Sequence, residues 1–257
     1  MLMVVDIGNT NITLGIYEEQ ELKVTFRMTT KMPRTSDEFG STLINFLHAS
    51  SIRVAEIDDV IISSVVPKIM HAFTNSIRRY VLKEPIIIGP GVKTGISVKT
   101  DSPRDVGADR IVDLAGCFYN YGGNALVIDF GTATTYDYIS ADGTFQYGVT
   151  APGLEISAQA LWTQAAKLPE IEIKLPASIL AKNTITSMQA GLVYGYIGQC
   201  EYIINAFKKE LGLKEMRVIA TGGLGKLIYS NTDLIETYDS ELTFKGLRDI
   251  YYRNKDK

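Results

Sequence analysis

Two stretches half a chain apart share one pattern of apolar and polar positions. Met3-Val4-Val5-Asp6-Ile7-Gly8-Asn9-Thr10 is an apolar run that breaks into Asp, Gly and small polar residues, and Leu126-Val127-Ile128-Asp129-Phe130-Gly131-Thr132 repeats the form. Asp6 and Asp129 are 123 residues apart, as are Gly8 and Gly131. Each run leads into a second β-rich stretch, 12–17 and 134–139. A turn follows, Glu18-Glu19-Gln20 or Ala141-Asp142-Gly143, and then a third short strand. The pattern predicts two β-meanders, one opening each half of the chain.

The repeat runs on. Residues 59–67 form an apolar strand ending in small residues, and 217–224 a strand ending in a Gly loop. Amphipathic stretches at 37–48 and 188–211 precede them. Strands alternating with helices predict a mostly parallel sheet in each half. The expected class is α/β, with two related halves, 1–115 and 116–257, and a boundary near 112–118. Without a Pro/Ser-rich linker the halves are expected to pack closely. The polar end Arg253-Asn254-Lys255-Asp256-Lys257 is expected to fray.

Composition removes several classes of function. A hydrophobic share of 46% supports a sizeable core, and a charged share of 21% lies below that of disordered chains. No apolar run is long enough to suggest a membrane span. The start lacks the features of a secretory signal, so no membrane association is expected and the expected compartment is cytoplasmic. A net charge of -3 argues against a nucleic-acid-binding surface, though not against a nucleotide that brings its own divalent metal. Cys117 and Cys200 read as two free thiols rather than a disulfide. With His48 and His71 the only histidines, no Cys/His zinc cluster can form, and both read as ordinary helix residues.

The candidate chemistry lies in the loops. In Asp6-Ile7-Gly8-Asn9-Thr10-Asn11, Gly8 clears the approach of backbone N–H groups to a polyphosphate, and the next three residues add short uncharged donors. Asp6 at the strand end can hold hydrated Mg²⁺ against the phosphates. A polar hairpin turn explains one such loop equally well; two copies at half-chain spacing favour function. The second copy, 129–135, offers another carboxylate in a hydroxyl-rich turn, and Gly222-Gly223 suits a nucleoside lying against backbone. Two decoys fail as phosphate loops. Gly89-Pro90-Gly91-Val92-Lys93-Thr94 has Val92 where Gly is required, and Gly222-Gly223-Leu224-Gly225-Lys226 has the wrong spacing. Asp109 and Arg110 fall in the first turn of a helix predicted by the apolar run 111–118. On spacing alone they read as a helix start with a neighbouring ion pair; the functional alternative makes Asp109 a proton acceptor and Arg110 a binder of a polar or anionic substrate group.

The paired loops resemble those of the acetate kinase, sugar kinase, Hsp70 and actin superfamily. That resemblance implies duplicated ribonuclease-H-like, actin-like ATPase domains, mixed sheets with flanking helices, and a nucleotide cleft. The ordered set Asp6-x-Gly-Asn-Thr, Pro90-Gly91-Val92-Lys93-Thr94-Gly95, Gly107-Ala108-Asp109-Arg110, 129–135, Ala151-Pro152-Gly153, Ala166-Lys167-Leu168-Pro169, Asn183-Thr184 and Ala220-Thr221-Gly222-Gly223 resembles type III pantothenate kinases in particular. The family transfers the γ-phosphate of ATP to the primary hydroxyl of pantothenate, the first step toward coenzyme A. The resemblance implies that Asp6, Ile7, Gly8, Asn9, Thr10, Asn11, Ile12, Thr13 and Thr132 bind ATP, and that Asp109 accepts the proton. It implies a pantothenate site of Gly107, Ala108, Asp109, Arg110 and Thr184, completed across a homodimer interface, and an activating K⁺ or NH₄⁺ at Asp129, with Mg²⁺ entering with ATP. Faces of Leu192, Val193, Ile197, Ile203 and Ile204 are open to use as core or interface.

Two positions depart from the family pattern: Thr100 stands where Tyr is usual, and Tyr147-Gly148-Val149-Thr150 where Gly-Gly-x-Ile is typical. Three other readings compete: a related kinase for another small alcohol or acid, a regulator of the Bvg accessory factor kind, and an actin-like polymer. The joint presence of Asp109, Arg110, Asp129 and Thr184 speaks against the regulator, and the compact chain against the polymer.

Overall fold

The computed structural model describes residues 1–255. The chain divides into two compact units. The first takes Met1–Ile96, Asp101–Asn120 and the described chain from Leu242 on; the second takes Ser97–Thr100 and Tyr121–Glu241.

The first unit opens with β1 (Leu2–Ile7), β2 (Asn11–Glu18) and β3 (Glu21–Thr29), followed by α1 (Ser36–Ala49), β4 (Asp59–Ser64), α2 (Pro67–Ser76) and β5 (Ile86–Ile87). It then adds α3 (Ala108–Tyr121), whose last residue the division assigns to the second unit, and α7 (Leu242–Asn254). The sheet order is β3-β2-β1-β4-β5. β1 pairs antiparallel with β2 and parallel with β4, so its apolar run is buried from both faces. The edge strand β3 alternates instead, with one face toward the core; its Phe26 stacks on Phe46 at 4.7 Å. α1 starts where Thr35 and Glu38 form a capping box. Pro67, with its φ preset and no N–H to satisfy, opens α2. α2 runs into a π-helical turn, Ile77–Val81, that ends at Leu82 in the left-handed region, φ 60°.

The second unit contains β6 (Ser97–Val98), β7 (Ala125–Phe130), β8 (Ala133–Ile139), β9 (Thr144–Pro152), α4 (Leu154–Gln164), α5 (Thr184–Glu210), β10 (Arg217–Thr221), α6 (Gly225–Tyr229) and β11 (Thr237–Tyr238). Its sheet order, β11-β10-β7-β8-β9-β6, is that of the first unit read from the other edge, plus β6. The pairings agree too: β7 is antiparallel to β8 and parallel to β10. β1 and β7 even share one sequence of buried and half-buried positions. Both sheets are therefore mixed, antiparallel through the meander and parallel beyond it.

The last helix belongs with the first unit, as does nearly all of α3, whereas a single boundary after residue 115 would cut α3 and place α7 in the second half. The physical reason is burial. Phe244, Leu247, Ile250 and Tyr251 close over Leu2, Val4, Ile61, Val112 and Ala115. α3 and α7 touch at glycines: a Cβ at Gly246 would come within 2.1 Å of the Val112 carbonyl, and one at Gly116 within 2.6 Å of the Leu242 carbonyl. Within the polar end expected to fray, Arg253 and Asn254 make contacts with the rest of the first unit. Asn254 exchanges hydrogen bonds with the Lys93 backbone at 3.1 and 3.0 Å, and the Arg253 guanidinium lies 4.1 Å from the Tyr119 ring centre. Asp256 and Lys257 lie outside the described residues. On α5, Leu192, Val193, Ile197 and Ile204 are core residues, with Ile203 partly buried against them. Cys117 and Cys200 are free and buried, and the two histidines lie on α1 and α2.

Candidate functional site

In the first unit the register pairs Ile7 with Ile12 and leaves residues 8–11 to make the turn. The Gly8 N–H donates to the Asn11 carbonyl at 3.0 Å. Thr30, just past β3, closes the turn from outside: its N–H donates to the Thr10 carbonyl at 2.9 Å and its hydroxyl to the Gly8 carbonyl at 2.8 Å. Asn9 is the exposed tip.

Asp6 lies at the strand end, paired across with Thr13 on β2 and Ser63 on β4. Burial, then the negative charge of Asp109, raise its carboxyl to about 7. Ser63 is itself fully buried. Asp109 reaches the same place from the first turn of α3. Burial pushes its carboxyl up, and the backbone N–H of Arg110, which donates to Asp109 Oδ1 at 2.8 Å, and the Arg110 charge pull it down. Gly107 is what lets that carboxylate fold back, since a Cβ there would lie 2.4 Å from Asp109 Oδ1. Two carboxylates from separate elements thus converge beside a glycine turn. A single carboxylate with phosphate oxygens and water is the ordinary coordination of Mg²⁺, so Asp6 fits that ion. A buried carboxylate with a raised proton affinity, as at Asp109, suits a general base.

In the second unit Asp129 takes the matching place, paired across with Thr135 and Thr221. Glycines flank its carboxylate: a Cβ at Gly222, φ +89°, would come within 2.5 Å of Asp129 Oδ1, and one at Gly131 within 3.1 Å of Oδ2. The Tyr238 hydroxyl fixes the Gly222 carbonyl at 3.0 Å, and the Gly153 N–H holds the Thr132 carbonyl at 3.1 Å. This cradle, which any side chain would fill, fits a monovalent cation held by oxygens. Among the described residues no group of three or more His, Cys, Asp and Glu side chains could hold a metal.

Thr184 is the first residue of α5, whose N-cap, Asn183, accepts from the Thr186 N–H at 3.0 Å. It lines an open groove of about 840 Å³ with Ser157, Lys182, Ser187 and the apolar Leu161 and Met188. Neither Asp129 nor Thr132 lines it. The structure therefore brings Asp6 together with Asp109, sets Asp129 beside Gly131 and Gly222, and gives Thr184 a groove of its own. Sequence reasoning missed Thr30 and Ser63. For Thr30 the repeat offered a signal, since Thr30 precedes Gly153 by the same 123 residues that separate the two aspartates; Ser63 has no counterpart at that spacing. Thr100 carries a buried hydroxyl without a hydrogen-bond partner, and Tyr147 and Val149 lie exposed on β9.

Known proteins match this chain along its length. A family model described as type III pantothenate kinase matches residues 2–206. A type III pantothenate kinase of Agathobacter rectalis is 53% identical over 257 residues, 100% of this chain and 99% of its own. Among solved structures, a conserved putative Baf family transcriptional activator from Campylobacter jejuni superposes with a TM-score of 0.61 at 17% identity, covering 99% of this chain and 100% of that one. A putative 2-dehydro-3-deoxygalactonokinase from Sinorhizobium meliloti gives 0.60 at 17% identity, covering 98% and 96%. These structures share the fold of this chain, mixed sheets with flanking helices.

Proposed function

This chain belongs to the type III pantothenate kinase family, and on that premise we propose how its residues divide the transfer of the ATP γ-phosphoryl group to the primary hydroxyl of pantothenate. The reaction gives 4′-phosphopantothenate and ADP, the first step of coenzyme A biosynthesis. The observation that carries the assignment is the convergence of Asp6 and Asp109 beside the Gly8 turn.

Residues 6–13 bind the ATP phosphates, with Thr132 as a further ATP contact. Asp109 takes the proton of the pantothenate hydroxyl as that oxygen bonds to phosphorus and the bond from phosphorus to the β–γ bridging oxygen breaks. Its raised proton affinity supports this role, because a base works best near the pH at which it operates. Gly107, Ala108 and Arg110 complete the pantothenate site at the start of α3, and Thr184 adds a hydroxyl from α5. Asp6 would hold Mg²⁺ through water, and Asp129 would hold K⁺ or NH₄⁺. When bound, these cations neutralise phosphate charge, the main demand of phosphoryl transfer.

A homodimer completes the site in this reading. Supporting it, Leu161 in the Thr184 groove is exposed, as are Ile156, Ile179, Leu180 and Ile185 on the neighbouring segments of the chain. On α5, Gly191, Gly195 and Gly198 would let a second backbone approach closely.

Mass spectrometry of product formed from ATP, Mg²⁺ and pantothenate, with and without K⁺ or NH₄⁺, tests the assignment. Product that requires the monovalent ion is expected. Full activity without either ion would remove the cation role from Asp129.

A further inference from the structure

The two Asp-Gly turns are closed by equivalent residues that differ in one respect. Thr30 follows β3 and Gly153 follows β9. Each donates its backbone N–H to the carbonyl of the last turn residue, Thr30 to Thr10 at 2.9 Å and Gly153 to Thr132 at 3.1 Å. Thr30 adds a side chain to this latch, its hydroxyl donating to the Gly8 carbonyl at 2.8 Å. Gly153 has no room for one: a Cβ would lie 2.3 Å from the Thr132 carbonyl oxygen and 2.5 Å from that of Gly131.

A turn that receives phosphates must offer N–H groups and withhold carbonyl oxygens, whose lone pairs repel an anion. The carbonyls of Gly8, Thr10 and Asn11 are all engaged within the protein, the first two by Thr30 and the third by the Gly8 N–H. Thr30 is anchored in turn, because Arg34 Nη1 donates to the adjacent Thr29 carbonyl at 2.7 Å. We propose that Thr30 is a positioning residue for ATP: its hydroxyl holds the Gly8 carbonyl in the protein, so that residues 8–10 keep the shape that accepts a polyphosphate. The inference rests on the reading of this turn as the ATP phosphate site.

Thr30→Val removes the hydroxyl while keeping side-chain shape and backbone N–H; Thr30→Ser keeps the hydroxyl. The readouts are KM for each substrate, kcat, calorimetric binding of Mg²⁺-ADP, and the unliganded Tm. Thr30→Val should weaken ADP binding and raise the KM for ATP about three- to tenfold, the size of one net hydrogen bond. The KM for pantothenate should stay within about twofold, since a contact to one substrate is lost. Thr30→Ser should restore ATP affinity. Thr30→Ala carries the expectation of Thr30→Val should the latter fail to fold. Wild-type ADP affinity in the hydroxyl-free variants, a parallel rise in both KM values, or a Thr30→Ser variant as weak as Thr30→Val would overturn the proposal. A wild-type protein that binds no nucleotide would instead overturn the reading of the turn, and the proposal with it.

Discussion

β1 passes to β2 through residues 8–10; β7 passes to β8 through 131–132, one residue fewer. The strands around the two turns keep the same order, pairing and burial. The surroundings of each aspartate do not match. Asp6 feels a second carboxylate, Asp109, delivered by the start of α3. Asp129 sits between Gly131 and Gly222, where a side chain would crowd its carboxylate. The strand frame is the same in both units, and the difference at the aspartates comes from what surrounds the strand end: Asp109 from α3 in one, two glycines in the other.

The largest test of that difference is Asp109→Asn, which should keep the fold and ADP binding yet lower turnover by about 10²–10⁴-fold, the usual contribution of a general base. Product formation in steady state checks it, and near-wild-type turnover would leave the two aspartate environments chemically equivalent.

Next comes the pH response of Asp6. Its folded value, about 7, lies above the ordinary 3.8, so folding binds a proton more tightly than the unfolded chain does. The contribution of this group to stability is full at low pH and is lost as pH rises through the folded value. Asp6→Asn should therefore melt higher than wild type without ligand at about pH 8, by at most a few kcal/mol, with the gap closing toward about pH 4. Thermal unfolding across pH reads this directly; a gap that does not change with pH would mean Asp6 is not held against its charge.

The smallest effect concerns the latch. Gly153→Ala forces a Cβ against two carbonyl oxygens and should cost about 1–3 kcal/mol in denaturant unfolding, as overpacking does. Thr30→Ala should cost less than this. Equal costs would erase the distinction between a turn with room for a side chain and one without.

Both turns were legible in the sequence because an apolar run broken by Asp-x-Gly is a local signal, and its recurrence at one interval removed the bland alternative. Asp109 was not legible in that way. An Asp in the first turn of a helix is ordinary, and only resemblance singled it out; its nearness to Asp6 depends on how α3 meets β1. Helix α7 was hidden by its own charges. Arg248 is buried, but it pairs with Asp249 at 2.8 Å and lies 5.3 Å from the Tyr17 ring centre, so its polarity is met inside the fold and invisible to a pattern reading. Thr30 escaped because a hydroxyl that donates to a carbonyl 22 residues earlier leaves no periodicity.

The placement of α7 has a consequence during biosynthesis. The face formed by Leu2, Val4, Ile61, Val112 and Ala115 is complete once residue 115 has been made, whereas its cover, residues 242–254, is among the last. The amino-terminal sheet must therefore wait, apolar side uncovered, while the whole second unit is translated. A chain stopped before residue 242 would leave that face bare, the kind of surface that makes incomplete chains prone to aggregate, although the segment that carries Asp6 and Asp109 has already been made.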